Sequence, residues 1–144
     1  MDDRERLCSW IKRAGFSTRL VSSGYEMVFA AQYRDWRICA EISDGWLLLR
    51  LYVFELPALS IERHSLFKMC LEINDRMALS KFCVSNANEL HLCAECRASG
   101  LDAETFTQLV EVLLAQADEH YPTLYSVARG SATLERLDDA FRKP

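Results

Sequence analysis

The stretch Trp36-Arg37-Ile38-Cys39-Ala40-Glu41-Ile42-Ser43-Asp44-Gly45-Trp46-Leu47-Leu48-Leu49-Arg50-Leu51-Tyr52-Val53-Phe54 decides the fold. Asp-Gly flanked by alternating apolar residues is a strong hairpin signal, because both residues of a type I′ turn need positive φ. With that two-residue turn, Ile42 falls opposite Leu47, Ala40 opposite Leu49, Ile38 opposite Leu51 and Trp36 opposite Val53. One apolar face results. A second turn at Arg34-Asp35 extends it onto a preceding strand, with Ala31 opposite Ile38, Phe29 opposite Ala40 and Met27 opposite Ile42.

Such a face needs helices to cover it, and the flanking sequence supplies them. Leu7, Trp10, Ile11 and Ala14 recur at helical spacing behind Asp2 and Asp3, and Gly15 is placed to end the segment. After a break at Leu56-Pro57-Ala58-Leu59, Ser60 is read as the N-cap of a helix over Ile61 to Met77, with Leu66, Met69, Cys70, Ile73 and Met77 as its core stripe. Phe67 and Leu71 widen its apolar arc. A second hairpin runs from Leu79 to about Arg97 around Asn86-Ala87-Asn88. A three-residue loop there puts Val84 opposite Leu90 and Phe82 opposite Leu92, leaving Cys83, His91 and Cys93 on the other face. A last helix follows Asp102 and turns Phe106, Leu109, Val110, Leu113 and Ala117 inward, ending near Tyr121 because Pro122 discourages continuation.

The expected architecture is one α+β domain over residues 1–125, in the order helix, three strands, helix, two strands, helix. Its sheet is antiparallel and five-stranded, with the helices mainly on one face. Residues 126–144 read as a linker and a short amphipathic tail carrying Leu134, Leu137 and Phe141. With 144 residues, half of them apolar, the chain can bury a sizeable core without metal or disulfide staples.

Composition excludes several classes of function. The formal net charge of −4, with acidic and basic residues interspersed, gives no footprint for nucleic acid. The longest apolar run, Trp46 to Leu49, is far short of a bilayer span, so no membrane insertion is expected. Asp2, Asp3 and Glu5 stand where a signal peptide would need positive charge, so a cytoplasmic protein is expected, with its six cysteines reduced. Five glycines without a Gly-x-Gly cluster offer nothing to cradle a phosphate, and no cofactor is expected.

Several short motifs resemble a known family. These are Leu47-Leu48-Leu49-Arg50-Leu51-Tyr52-Val53 before a proline break, Leu71-Glu72-Ile73-Asn74 late in the second helix, Lys81-Phe82-Cys83-Val84 opening the hairpin, and Ala117-Asp118-Glu119-His120-Tyr121-Pro122-Thr123-Leu124 in the third helix. With the element order, they are similar to the YbjN-like proteins and the broader type III secretion chaperone-like fold. The resemblance implies a non-enzymatic protein-binding module, with a partner protein or a second copy of the chain as its ligand. It implies no catalytic residue.

Two sets of side chains remain as candidate sites. On the third strand the residues turned away from the helices are Trp46, Leu48, Arg50, Tyr52 and Phe54, a composition typical of interface hot spots, and Phe67 and Leu71 mark an alternative surface on the helix side. The competing chemistry is a small metal or redox site at Cys83, His91 and Cys93, with Glu89 or Glu95 as a fourth ligand; the ordinary reading makes the cysteines half-buried strand residues and His91 solvated. Cys93-Ala94-Glu95-Cys96 has redox spacing, but in a strand its two cysteines face opposite sides. His64 and His120 read as solvated helix residues, and Asp138 with Asp139 as a solvated helix face.

Overall fold

Asp44 and Gly45 both adopt positive φ, 52° and 79°, and the strand pairing they set is the one the alternation predicts: Ile42 with Leu47, Ala40 with Leu49, Ile38 with Leu51. In the computed structural model, which describes residues 1–130, this hairpin is the centre of a six-stranded sheet. The elements in chain order are α1 (Asp3–Ala14), β1 (Thr18–Leu20), β2 (Tyr25–Phe29), β3 (Trp36–Ser43), β4 (Trp46–Glu55), α2 (Ser60–Arg76), β5 (Ser80–Val84), β6 (Glu89–Arg97) and α3 (Ala103–Ala128). The strands lie in the order β1-β2-β3-β4-β6-β5, antiparallel throughout. The short strand β1 makes six strands where five were expected. Its three residues are all exposed, so it carries no alternation to read.

The pairing of β2 with β3 departs from the predicted register. Met27 faces Ile38, Phe29 faces Trp36 and Tyr25 faces Ala40, a slip of four residues that replaces a tight Arg34-Asp35 turn with a loop over 30–35. An even slip keeps every side chain on its face, so the apolar patch survives. Two close contacts set the observed register. Gly24 lies against the Ala40 carbonyl, where a Cβ would stand only 2.1 Å from the oxygen. Arg34, from the loop, donates to the Val53 carbonyl at 2.7 Å and lies over the Trp36 ring. The second hairpin has the expected pairing, and Asn88, at φ 60°, closes its Asn86-Ala87-Asn88 loop.

Helix ends follow cap chemistry at two of the three starts. Asp2 accepts from the Glu5 amide and Asp102 from the Thr105 amide, while Gly15 ends α1 in the left-handed region. Ser60 is not a cap; it is the first residue of α2, and the capping position falls to Leu59 without a side-chain bond. Nor does α3 stop near Tyr121. It continues through Pro122 to Ala128, because Leu124 and Val127 extend the buried stripe of Phe106, Val110, Leu113 and Ala117. That packing offsets the missing amide and the steric strain of an interior proline. Residues 126–128, expected in a linker, are thus helical. The tail stripe of Leu134, Leu137 and Phe141, and the Asp138–Asp139 pair, lie outside the described residues.

All three helices cover one face of the sheet, over a core of Met27, Trp36, Ile38, Ala40, Leu47, Leu49, Leu51, Val53, Phe82, Leu90, Leu92 and Ala94. Among the described residues no helix is long and apolar enough to cross a membrane.

Candidate protein-binding surfaces

The sequence motifs prove to be clamps between the helices and the sheet. The Asn74 side chain, near the end of α2, donates to the Phe82 carbonyl at 3.0 Å and accepts from the Phe82 amide at 2.8 Å. It takes the place of a neighbouring strand at the outer edge of β5. Next to it the Lys81 ammonium donates to the carbonyls of Asn74 and Met77, which closes the C-terminal end of α2. In α3, Asp118 accepts from the Trp36 indole at 2.8 Å, and Tyr121 sets its ring edge-on to Trp36 and beside Phe54. The Ile-Asn, Lys-Phe and Ala-Asp-x-x-Tyr patterns therefore serve packing.

The seven candidate binding residues fall into three places. Trp46, Leu48, Arg50 and Tyr52 point away from the helices. Trp46 is 39% exposed, with the Arg97 guanidinium 4.8 Å above its ring. Tyr52 carries the Arg34 guanidinium at 5.6 Å and meets the His91 ring edge-on. Leu48 and Arg50 line a shallow basin of about 420 Å³ with Cys39, Glu41, Cys93 and Glu95.

Phe54, expected on the same face, is buried on the helix side against Tyr121 and Tyr125. The cause is a bulge: β4 pairs Tyr52 with His91 but Phe54 with Leu90, so Val53 is an extra residue and the alternation reverses beyond it. The Val53 carbonyl is the one that Arg34 takes. Phe67 and Leu71 occupy the third place. With Cys70, Asn74, Phe82, Cys83, Val84 and Leu90 they line a mainly apolar groove of about 340 Å³ between α2 and β5. Leu71 is 69% and Val84 48% exposed there.

The metal candidates share a face but do not converge. Cys83 is opposite His91, and Cys93 opposite Lys81. Among the described residues no three His, Cys, Asp or Glu side chains form a metal-holding group. His91, expected to be solvated, is buried at 8% exposure. Its Nε2 pairs with Glu89 at 3.1 Å and its Nδ1 meets no partner. Burial first, and then the charge of Arg50, lower its pKa. His64 is exposed as expected, but His120 is half-buried against Phe82 and its pKa is also lowered, chiefly by burial. Cys93 and Cys96 take opposite faces, as strand geometry requires: Cys93 pairs with Arg50 on the outer side, and Cys96 packs toward the core.

Local patterning could not show the row that crosses the outer face: Arg19, Glu26, Cys39, Arg50, Cys93 and Lys81 lie side by side on the six strands. Its left half follows from the hairpins. Its right half depends on β4 pairing with β6, which are joined by no turn.

An antiparallel sheet with this strand order, covered on one side by three helices clamped at Asn74 and Asp118, is the type III secretion chaperone-like fold. A chain of the ExsC–ExsE complex matches it with a TM-score of 0.61 and 18% identity, over 84% of this chain and 92% of that one. The Yersinia pestis type III secretion chaperone SycH, in complex with a stable fragment of YscM2, matches with a TM-score of 0.56 and 11% identity, over 82% and 98%. The E. coli protein YbjN, described as a putative transcription regulator, matches with a TM-score of 0.57 and 17% identity, over 88% and 90%. Residues 3–126 match the YbjN family, "Putative bacterial sensory transduction regulator", and the chain belongs to that family. No curated protein matches the chain.

Proposed function

We propose that this chain is a non-enzymatic, cytoplasmic protein-binding module that holds a segment of a partner protein in the groove between α2 and β5. One observation carries the reading: Leu71 and Val84 are large apolar side chains left open to solvent beside Phe67, over a groove whose floor is already core. An exposed apolar strip on a helix and strand fits an apolar peptide segment. The fold is shared with chains solved as complexes, ExsC with ExsE and SycH with a fragment of YscM2, which supports the same class of behaviour here. Of the alternative small metal or redox protein, the metal form has less support, since Cys83, His91 and Cys93 do not gather around one point.

A second surface has its own support. Trp46 is exposed at the rim of the outer basin lined by Leu48 and Arg50, so a second copy of the chain or another partner would meet the sheet there. A photo-crosslinking residue placed at position 71, at position 46 and at the control position Glu104 tests both in the native host. The reading expects one discrete partner peptide from position 71. Equal labelling from position 104, or a product from position 46 alone, would overturn the groove assignment.

A further inference from the structure

Four strands of the outer face bring three thiols around one guanidinium. Arg50 of β4 pairs with Cys39 on one side and Cys93 on the other, and Cys83 stands two residues diagonally from Cys93 on the edge strand. Arg50 is exposed, and its charge works to lower the pKa of all three thiols. The Cys83 and Cys93 side chains are diagonal neighbours on this face, and each perturbs the other's titration. Their mutual interaction favours the thiolate at Cys83 and the protonated thiol at Cys93.

We propose that Cys83 and Cys93 form a hydroperoxide-responsive modification site, with Cys83 as the nucleophile and Cys93 as the thiol that resolves it into a disulfide. The Cys83 thiolate attacks one peroxide oxygen; the S–O bond forms, the O–O bond breaks, and the departing hydroxide takes a proton from solvent to leave as water. Cys93 sulfur then attacks the Cys83 sulfenic acid; the S–S bond forms, the S–O bond breaks, and the Cys93 proton leaves with the hydroxide as a second water. The two thiols are oxidised by two electrons and the peroxide is reduced by two.

The remaining thiols are placed differently. Cys70 is buried and pushed up to about 12, and burial also raises Cys39 and Cys96. Cys83, by contrast, is drawn down to about 7, first by its neighbour Cys93 and then by Arg50, against the effects of burial and of Glu95. Diagonal strand neighbours lie roughly 1 Å farther apart than most disulfides span, so closure must draw β5 inward. β5 is five residues long with a strand neighbour on one side only, and the Asn74 bonds to Phe82 on its other side must follow it as it moves.

The test uses the full reduced chain, treated with hydrogen peroxide, alkylated, and cleaved after Lys, Arg and Glu. Cleavage after Glu89 and Glu95 puts Cys83, Cys93 and Cys96 on separate peptides. The expected product is a Cys83–Cys93 linked pair lighter by two hydrogens, formed severalfold more slowly in Arg50→Gln. In Cys93→Ser, dimedone should label Cys83, whereas Cys83→Ser should leave Cys93 unlabelled. A dominant link to Cys39 or Cys96, the absence of a link in the wild-type chain, or labelling of Cys93 in Cys83→Ser would overturn the proposal.

Discussion

The two faces of the sheet are built from the same strands by different rules. The inner face is apolar from β2 to β5, and Met27, Ile38, Leu51 and Leu92 form one fully buried row across four strands. On the outer face the neighbouring row alternates charge and thiol, Glu26, Cys39, Arg50, Cys93 and Lys81, and leaves most of its members half-buried or exposed. The inner face specifies the fold through burial, whereas the outer face and the α2–β5 groove are free to carry function.

The sharpest way to break the comparison is a charge on the inner face. Leu49→Asp places an unpaired carboxylate at a position 2% exposed, and should cost several kcal/mol and abolish a cooperative urea transition. A soluble variant with an intact transition would contradict the face assignment. Phe54 and Trp46 then test the bulge within one strand. Phe54→Ala should cost about 3 kcal/mol by emptying a buried aromatic site, while Trp46→Ser should stay within about 1 kcal/mol. Equal effects in chemical denaturation would mean that β4 keeps its alternation through Val53. Asn74→Ala removes both bonds to the Phe82 backbone and should cost about 2 kcal/mol, since it leaves a part-buried amide and carbonyl without partners.

Acid sharpens the contrast more gently. His91 and His120 have folded-state pKa values below the ordinary 6.5, so each binds a proton more weakly in the folded chain than in the unfolded one. Their contribution is fully present above pH 6.5 and is lost as the pH falls through the depressed folded values. Protonating His91 would also create an N–H at Nδ1 with no acceptor. His91→Gln should therefore flatten part of the stability loss below pH 6.5, with His120 supplying the remainder of the histidine effect. An unchanged pH profile in that variant would show that His91 is solvated after all.

The sequence was legible where a local rule acts alone. Asp44-Gly45 sets the central hairpin, Asn86-Ala87-Asn88 the second, and Asp2, Gly15 and Asp102 mark helix ends. Misreadings came where a distant contact overrides the local signal. The β2–β3 register answers to Gly24 and Arg34, the length of α3 to the burial of Leu124 and Val127 beyond Pro122, and the direction of Phe54 to a bulge whose carbonyl Arg34 satisfies. For the candidate surfaces, Trp46, Leu48, Arg50 and Tyr52 could be placed from alternation. The groove over Phe67 and Leu71 could not, because it exists only once Asn74 fixes α2 beside β5.

The central claim is that partner capture belongs to the groove and folding to the inner face, and one binding measurement tests it directly. With the peptide recovered by crosslinking from position 71, its affinity should fall at least about tenfold in Leu71→Asp, a loss of about 1.4 kcal/mol, while the melting temperature stays near that of the wild type. The double variant Trp46→Ser with Tyr52→Ser should bind the same peptide as the wild type does. Undiminished affinity in Leu71→Asp, with binding lost in the Trp46 and Tyr52 variant, would contradict the claim and assign capture to the outer face of the sheet.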